Sequence, residues 1–271
     1  MSLVETDWLK KNIGSVKIID CSWHMPQTKR SGLEEYKNQH IPNSVFFDLD
    51  ANSKKETELP HMLVNKIEWE QIISKMGIKN EDEIVIYDNS DVISSCRCWF
   101  NFIYFGHNPK LVHVLNGGLK KWIKENNEIT NNITNIKPSN YKSFEKKELV
   151  KNKKSIDQNI NEQKFKVIDA RSNERFKGKV QEPRKGLRSG SIKNSFCIPF
   201  DKCLNEDKTF KNKEILKPIF ETCLKNINEK NIVFSCGSGV TACVLALAYS
   251  LINDKYQPCI YDGSWAEYGI I

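Results

Sequence analysis

The sequence contains two diverged copies of one pattern. Four short segments of the first half recur in the same order in the second half, at offsets of about 148 residues. The first-half segments cover residues 16–20, 41–44, 84–88 and 114–118, and their counterparts cover residues 165–169, 192–195, 232–236 and 259–263. Two long copies in 271 residues exclude a solenoid, which needs about three or more short repeats. The duplication therefore predicts two related domains.

Each half alternates short apolar runs with longer amphipathic stretches, which indicates strands alternating with helices. The predicted strands are Val16–Asp20, Ser44–Phe47, Ile84–Tyr87, Leu111–Leu115, Lys166–Asp169, Ser195–Ile198, Ile232–Ser235 and Pro258–Tyr261. The predicted helices are Ile67–Met76, Ser95–Phe105, Lys213–Asn226 and Val240–Leu251. Uninterrupted apolar strands of this kind predict an α/β fold in which each half is a parallel sheet covered by helices on both faces. Ligands bind at the carboxyl ends of the strands in such sheets.

A polar segment separates the two copies. Residues 128–145 contain few large apolar side chains and are interrupted by Pro138. We interpret this segment as a linker between an N-terminal domain at residues 1–127 and a C-terminal domain at residues 146–271. Helical propensity resumes over residues 146–161.

Charge and composition limit the classes of partner. The chain carries 41 Lys and Arg against 34 Asp and Glu, a net charge of +7. No nucleic-acid-binding motif accompanies the basic residues, so we expect solvated lysines and no nucleic-acid partner. The longest apolar run, Thr241–Ile252, is shorter than the roughly 20 residues of a membrane span. Because the first residues resemble neither a signal nor a transit peptide, we expect a cytoplasmic protein with no membrane partner.

The nine cysteines are odd in number and scattered along the chain. Without a secretion signal, this pattern is typical of reduced thiols rather than of a disulfide framework. Cys96 and Cys98 form a C-x-C pair, but no second pair lies nearby at the spacing of a zinc site. We therefore expect no metal site.

One cysteine occupies a position suited to nucleophilic chemistry. Cys236 follows the predicted strand Ile232–Ser235, and Gly237, Ser238 and Gly239 lead from it into a predicted helix. Glycines let successive backbone N–H groups converge on one point, and the helix N-terminus adds partial positive charge. Both effects favour the thiolate, which is the nucleophilic form of the side chain.

This loop, its flanks and the duplication resemble the two-domain rhodanese-type sulfurtransferases, and in particular the members that use 3-mercaptopyruvate. The resemblance covers nearly the whole chain and is carried by four further segments, His40–Asp48, Leu59–Leu63, Asn116–Leu119 and Tyr261–Trp265. It implies two tandem domains, each a five-stranded parallel sheet between helices, and a persulfide on Cys236. It implies neither a cofactor nor a metal. Asp88 occupies the first-half position of Cys236 and cannot form a persulfide, so we expect only the C-terminal domain to be catalytic.

The resemblance also implies roles for individual residues. Arg175 and Arg184 correspond to the arginines that bind the substrate carboxylate, a task that suits a guanidinium fork. Substrate contacts are further expected from the loop residues Gly237, Gly239, Val240 and Thr241. Ser238 and His40 correspond to a proton relay, with Ser31 at the position of the family's acid. Arg171 and Arg188 are less favoured as substrate ligands, and we expect Trp265 to serve core or interdomain packing.

The loop composition favours one sulfur donor. The resemblance implies that relatives using thiosulfate carry Arg and Lys after the cysteine, whereas this chain has Gly237 and Ser238. We therefore expect sulfur transfer from 3-mercaptopyruvate, with release of pyruvate, to cyanide or to a thiol such as a thioredoxin-like protein or a low-molecular-weight thiol. Thiosulfate sulfurtransferase activity and a persulfide relay without turnover are the alternatives. A cysteine phosphatase is disfavoured because Ala242 stands where that chemistry needs an arginine.

Overall fold

The computed structural model describes residues 2–224 and 230–271, which form two compact units. Unit 1 comprises residues 2–54, 63–146 and 206–209. Unit 2 comprises residues 55–62, 147–205 and, among the described residues, 210–224 and 230–271. No helix within the described part of the chain has both the length and the apolar character needed to cross a membrane.

Unit 1 is built on a five-stranded sheet in which all strands are parallel. Its strands are β1 (Leu3–Val4), β2 (Lys17–Asp20), β3 (Ser44–Phe46), β4 (Ile84–Tyr87) and β5 (Val112–Leu115). Its helices are α1 (Thr6–Asn12), α2 (Gly32–Asn38), α3 (Lys66–Lys75), α4 (Ser95–Tyr104) and α5 (Gly118–Lys124). The strand order β1-β5-β4-β2-β3 places β4 at the centre of the sheet.

Unit 2 repeats this arrangement. Its strands are β6 (Val150–Lys151), β7 (Lys166–Asp169), β8 (Phe196–Cys197), β9 (Ile232–Ser235) and β10 (Ile260–Tyr261). Its helices are α6 (Lys153–Glu162), α7 (Asn173–Phe176), α8 (Lys213–Glu221), α9 (Thr241–Ile252) and α10 (Ser264–Tyr268). The parallel order β6-β10-β9-β7-β8 matches that of unit 1 position by position. The predicted fold of two parallel sheets with flanking helices is thereby confirmed.

The burial of the central strands accounts for their uninterrupted apolar sequences. All residues of β4 and β9 are buried, as expected for strands covered on both faces. Helix α9 is buried at every position from Ala242 to Tyr249, which accounts for its uninterrupted apolar sequence. Helix α8 ends at Glu221, and residues 225 and 226 of the helix predicted there lie outside the described residues.

The segment predicted as a linker is attached to unit 1 along its length. The backbones of Thr130 and His40 exchange two hydrogen bonds, and the Ser139 N–H donates to Ser74 O. Further along, Tyr141 is buried, and the Phe144 N–H donates to Phe105 O. Residues 128–145 therefore belong to unit 1 because its surface satisfies their backbone groups, which composition alone did not indicate.

The core of unit 1 contains a buried carboxyl group, that of Asp20. Asp20, at the end of β2, is 1% exposed and accepts a hydrogen bond from the Ser22 N–H at 2.8 Å. Burial raises the pKa of Asp20 to about 7. The equivalent Asp169 in unit 2 instead pairs with Arg171 at 2.7 Å.

We predict that Asp20→Asn changes how stability depends on pH. The raised pKa means that the folded chain holds the Asp20 proton more tightly than the unfolded chain. Protonated Asp20 therefore contributes its full stabilisation below about pH 4, and this contribution is lost as the pH rises to about 7. The free energy of unfolding of the wild type should fall relative to that of Asp20→Asn over this range, by at most about 4 kcal/mol. Urea denaturation between pH 4 and 8 measures this difference.

The exposed Asp7 in the same unit provides the control, because Asp7→Asn makes the same chemical change outside the core. A constant difference in stability between the wild type and Asp20→Asn across the whole pH range would contradict the prediction.

Candidate active site

The predicted nucleophile lies where β9 gives way to α9. Cys236 is 2% exposed, and its N–H donates to Ser264 Oγ at 3.1 Å. In return, the N–H groups of Trp265 and Ala266 donate to the carbonyl oxygens of Cys236 and Gly237, each at 2.9 Å. Three hydrogen bonds from the start of α10 therefore hold the backbone of the cysteine loop.

The loop turns sharply before the helix begins. Gly239 has a φ of +76°, a left-handed conformation that strains residues other than glycine. The buried Cys243 donates its thiol proton to Gly239 O at 3.2 Å, which attaches this turn to the first turn of α9. Because α9 has 12 residues, its amino terminus contributes partial positive charge beside the loop. Negative charge on a reacting sulfur is stabilised there.

Both predicted substrate arginines lie beside this loop. A Cβ atom at position 237 would lie 3.3 Å from Nη2 of Arg175 and 3.7 Å from Nη1 of Arg184. Gly237 therefore leaves room for two guanidinium groups next to the residue that carries the nucleophile. Both arginine side chains are half-buried. Two such forks suit recognition of a planar carboxylate.

A buried carboxylate orients the first of these arginines. Glu182 accepts from Nη2 of Arg175 at 2.6 Å and from its Nε at 3.2 Å, and the Glu182 side chain is only 1% exposed. The same carboxylate accepts from Nη1 of Arg171 at 2.8 Å. Burial opposes the charge on Arg171, but the neighbouring Asp169 and Glu182 hold its pKa above the ordinary value. Arg171 is therefore part of a buried ion network, which agrees with its low ranking as a substrate ligand.

The hydroxyl group of Ser238 faces a histidine that the sequence analysis did not select. Nδ1 of His61 lies 3.0 Å from Ser238 Oγ, and Nη2 of Arg184 lies 3.5 Å from the same oxygen. His61 is buried and has a φ of +61°, an unusual conformation for a residue with a side chain. The sequence signal was present, because His61 lies in the Leu59–Leu63 segment that matched the family.

The prediction that His40 pairs with Ser238 is wrong. His40 is fully buried, and its ring nitrogens lie 2.6 Å from Tyr36 O and 3.2 Å from Asn132 O. Both nitrogens are thus engaged by backbone carbonyls of unit 1. Ser31 is the N-cap of α2, where its hydroxyl accepts from the Glu34 N–H. These residues stabilise local structure rather than a proton relay.

The remaining predicted contacts lie at the start of α9. Val240 is the buried N-cap residue and Thr241 the half-buried first residue of that helix. Their predicted contact with substrate stays a prediction. Within the described part of the chain, no group of three or more His, Cys, Asp and Glu side chains is arranged to hold a metal ion.

The corresponding place in unit 1 is occupied by a carboxylate. Asp88 follows β4 as Cys236 follows β9, and its two oxygens accept from the N–H groups of Ser90 and Ser95, each at 2.8 Å. Burial raises the pKa of Asp88, and these donors oppose the rise. The amides that would receive a ligand's negative charge are thus bound to the protein's own side chain.

Comparisons with known proteins agree with this architecture. A family profile described as "Rhodanese-like domain" matches residues 5–125 and 152–270. Thiosulfate/3-mercaptopyruvate sulfurtransferase 1, mitochondrial, of Arabidopsis thaliana is 36% identical over 98% of this chain and 75% of its own length. Thiosulfate sulfurtransferase of Rattus norvegicus is 33% identical over 98% of this chain and 91% of its own length.

A solved structure has the same fold along the whole chain. The crystal structure of a 3-mercaptopyruvate sulfotransferase from Escherichia coli superimposes with a TM-score of 0.87 at 30% identity, covering 98% of this chain and 99% of that one. The duplicated sheets, the cysteine loop at the end of β9 and the two family matches together identify the chain as a member of the rhodanese-like sulfurtransferases that are built from two such domains.

Proposed function

We propose that this protein transfers sulfur from 3-mercaptopyruvate to an acceptor thiol through a persulfide on Cys236. The observation that carries the proposal is the position of two guanidinium groups beside Gly237, next to the nucleophile, in a loop without cationic side chains of its own. An α-keto acid presents a carboxylate at one end and a sulfur atom at the other. This arrangement of charge matches arginines placed beside, rather than within, the cysteine loop.

The first half-reaction forms the persulfide. Arg175 and Arg184 bind the substrate carboxylate, and the Cys236 thiolate attacks the substrate sulfur. A sulfur–sulfur bond forms while the carbon–sulfur bond breaks, and the electron pair of that bond passes to C3, which gives the enolate of pyruvate. Loop amides and the amino terminus of α9 stabilise the charge as it develops. The enolate takes one proton and leaves as pyruvate.

Ser238 and His61 form the proton relay of this proposal. Their contact of 3.0 Å is within the range of a hydrogen bond, and Ser238 follows Cys236 by two residues. The substrate thiol gives up one proton and the enolate gains one, so a hydroxyl–imidazole pair suffices to move it. In the second half-reaction the acceptor thiolate attacks the outer sulfur of the persulfide, and Cys236 returns as the thiolate. A low-molecular-weight thiol or a thioredoxin-like protein is the proposed acceptor.

Thiosulfate is the second candidate donor, since the relatives include proteins named for both donors. The compact dianion of thiosulfate is better served by cationic side chains within the loop. Gly237 and Ser238 provide none. Charge recognition at a distance from the sulfur therefore favours the keto acid.

We predict that Cys236→Ser abolishes sulfur transfer. Because no persulfide forms on a hydroxyl group, pyruvate release from 3-mercaptopyruvate should fall by about 10⁴-fold or more. Wild-type enzyme should have a higher kcat/KM for 3-mercaptopyruvate than for thiosulfate. The half-buried Cys259 supplies a control, since Cys259→Ser should retain activity. A higher wild-type kcat/KM for thiosulfate would identify thiosulfate, rather than 3-mercaptopyruvate, as the preferred donor.

Substituting Arg184 should weaken donor binding. Arg184→Gln removes a charged hydrogen-bond donor from the carboxylate site and should raise KM for 3-mercaptopyruvate about 10- to 100-fold, with a smaller effect on kcat. Steady-state pyruvate release measures both constants. Lys185→Gln alters an exposed charge one residue further along and is the matched control. Equal effects of the two substitutions would indicate loss of general positive potential rather than of a specific contact.

Substituting His61 should slow the chemical step. His61→Gln keeps a hydrogen-bonding side chain beside Ser238 but removes the imidazole, so kcat should fall about 10²-fold or more. Single-turnover formation of pyruvate measures this step apart from the acceptor reaction. A variant with wild-type single-turnover rates would exclude His61 from proton transfer.

A further inference from the structure

The two units share one backbone hydrogen bond but differ in the side chain attached to it. In unit 1 the Leu119 N–H donates to Asp88 O, and in unit 2 the Trp265 N–H donates to Cys236 O, both at 2.9 Å. Leu119 and Trp265 are therefore equivalent positions of the duplicated fold. Unit 1, which has Asp88 at the position of Cys236, has a leucine here, whereas unit 2 has a tryptophan.

The residue type also differs at a second pair of equivalent positions, Ser22 in unit 1 and Arg171 in unit 2. The Ser22 N–H donates to Asp20 Oδ1 at 2.8 Å, and the Arg171 N–H donates to Asp169 Oδ1 at 2.9 Å. Serine in unit 1 thus corresponds to arginine in unit 2. At these two positions, unit 2 has an arginine and a tryptophan, which can form a cation–aromatic contact, whereas unit 1 has a serine and a leucine.

Trp265 makes that contact with two guanidinium groups. The Cζ atoms of Arg171 and Arg188 lie 4.3 Å and 4.6 Å from the centroid of the Trp265 ring. The indole N–H also donates to Arg188 O at 3.0 Å. Trp265 is buried, and a desolvated cation over an indole ring is a favourable arrangement. Its side chain therefore holds the guanidinium of Arg171 and the backbone at Arg188.

From Arg171 the contacts continue to the substrate arginines. Arg171 donates to Glu182 at 2.8 Å, and Glu182 accepts from Arg175 at 2.6 Å. Arg175 in turn lies beside Gly237. Glu182, Arg184 and Arg188 all belong to the loop between α7 and β8. One residue, Trp265, thus joins the backbone of the nucleophile to the loop that supplies the carboxylate-binding charge.

We propose that Trp265 is a positioning residue that sets the substrate arginines at a fixed distance from Cys236. It acts through the stacked Arg171 and Arg188 and does not touch the substrate. The inference rests on the proposed function, since it concerns binding of a donor that carries a carboxylate. Without the indole ring, Arg171 keeps its hydrogen bonds to Asp169 and Glu182 but loses the aromatic face against which it stacks. The half-buried Arg175 is then held less firmly against the cysteine loop.

Alkylation of Cys236 tests the inference independently of the natural donor. Iodoacetate and iodoacetamide both form a sulfur–carbon bond to the thiolate with loss of iodide, but only iodoacetate carries a carboxylate. The ratio of their rate constants at Cys236, measured by peptide mass spectrometry and normalised to glutathione, therefore reports how well the arginines are placed. In Trp265→Leu, which restores the residue of unit 1, this ratio should fall about tenfold. KM for 3-mercaptopyruvate should rise by a similar factor, with kcat changed less.

Conservative and matched variants separate positioning from loss of structure. Trp265→Phe keeps an aromatic face and should stay within about threefold of the wild-type ratio. Trp122→Leu removes a buried tryptophan from unit 1 and should leave the ratio unchanged. If circular dichroism shows that Trp265→Leu does not fold, Arg188→Met removes one stacked cation from an exposed position and should lower the ratio about threefold.

The inference is overturned if both alkylation rates fall equally in Trp265→Leu, because that result indicates general disruption of the loop. An unchanged ratio in a folded Trp265→Leu or Arg188→Met variant overturns it as well. Failure of the proposed function has a different signature: the wild type would not release pyruvate from 3-mercaptopyruvate, while the alkylation ratio would still depend on Trp265.

Discussion

The site depends on the meeting of a central strand's carboxyl end with the amino terminus of the following helix. Both units contain this junction, between β4 and α4 in one and between β9 and α9 in the other. Backbone N–H groups at such a junction stabilise negative charge whatever atom bears it. In unit 1 the group at this position is the carboxyl of Asp88, whose oxygens accept from two backbone N–H groups. In unit 2 it is the sulfur of Cys236, on which the proposed reaction forms and consumes a persulfide. The same strand–helix junction thus occurs in both units. It holds a structural carboxyl group in unit 1 and, in the proposed function, a reacting sulfur in unit 2.

The charges around the sulfur are arranged to remain in place. Asp169, Arg171, Glu182 and Arg175 form a sequence of alternating sign, and the side chains of the first three are nearly inaccessible to solvent. Burying such groups is unfavourable unless each is paired, and removing one partner typically costs about 3–5 kcal/mol. The network therefore has little freedom to rearrange. The hydrogen bonds to Glu182 use two of the five N–H donors of Arg175 and fix the direction of its guanidinium group. In the proposed function, the other donors remain available to the substrate carboxylate. In the proposed reaction, preorganisation of this kind would reduce the conformational entropy lost when the donor binds.

The sequence was most informative where residues were both buried and periodic. The eight predicted strands correspond to β2–β5 and β7–β10, and the signal is clearest in β4 and β9, where every residue is buried. The edge strands β1 and β6 contain two residues each and carry no such pattern. The polar segment at residues 128–145 was interpreted by composition, whereas its backbone hydrogen bonds attach it to unit 1. Cys236 was selected from its loop pattern and Arg175 and Arg184 from the family resemblance, and the structure places both arginines beside Gly237. His61 was not selected although its segment resembles the family, because spacing does not reveal that residues 55–62 belong to unit 2.

Backbone conformation differs in its strain at one further pair of equivalent positions. Gly118 precedes Leu119 and has a φ of +56°, and a Cβ atom there would lie 2.4 Å from Asp88 O. Ser264 precedes Trp265 and has a φ of +49°, a conformation that costs about 1–3 kcal/mol for a residue with a side chain. Unit 1 uses glycine and avoids the strain. In unit 2 the serine provides a hydroxyl that a glycine lacks, and Ser264 Oγ accepts the hydrogen bond from the Cys236 N–H at 3.1 Å. The strain is thus located where it holds the nucleophile, which is the pattern expected when a fold gives up local stability to orient a reacting group.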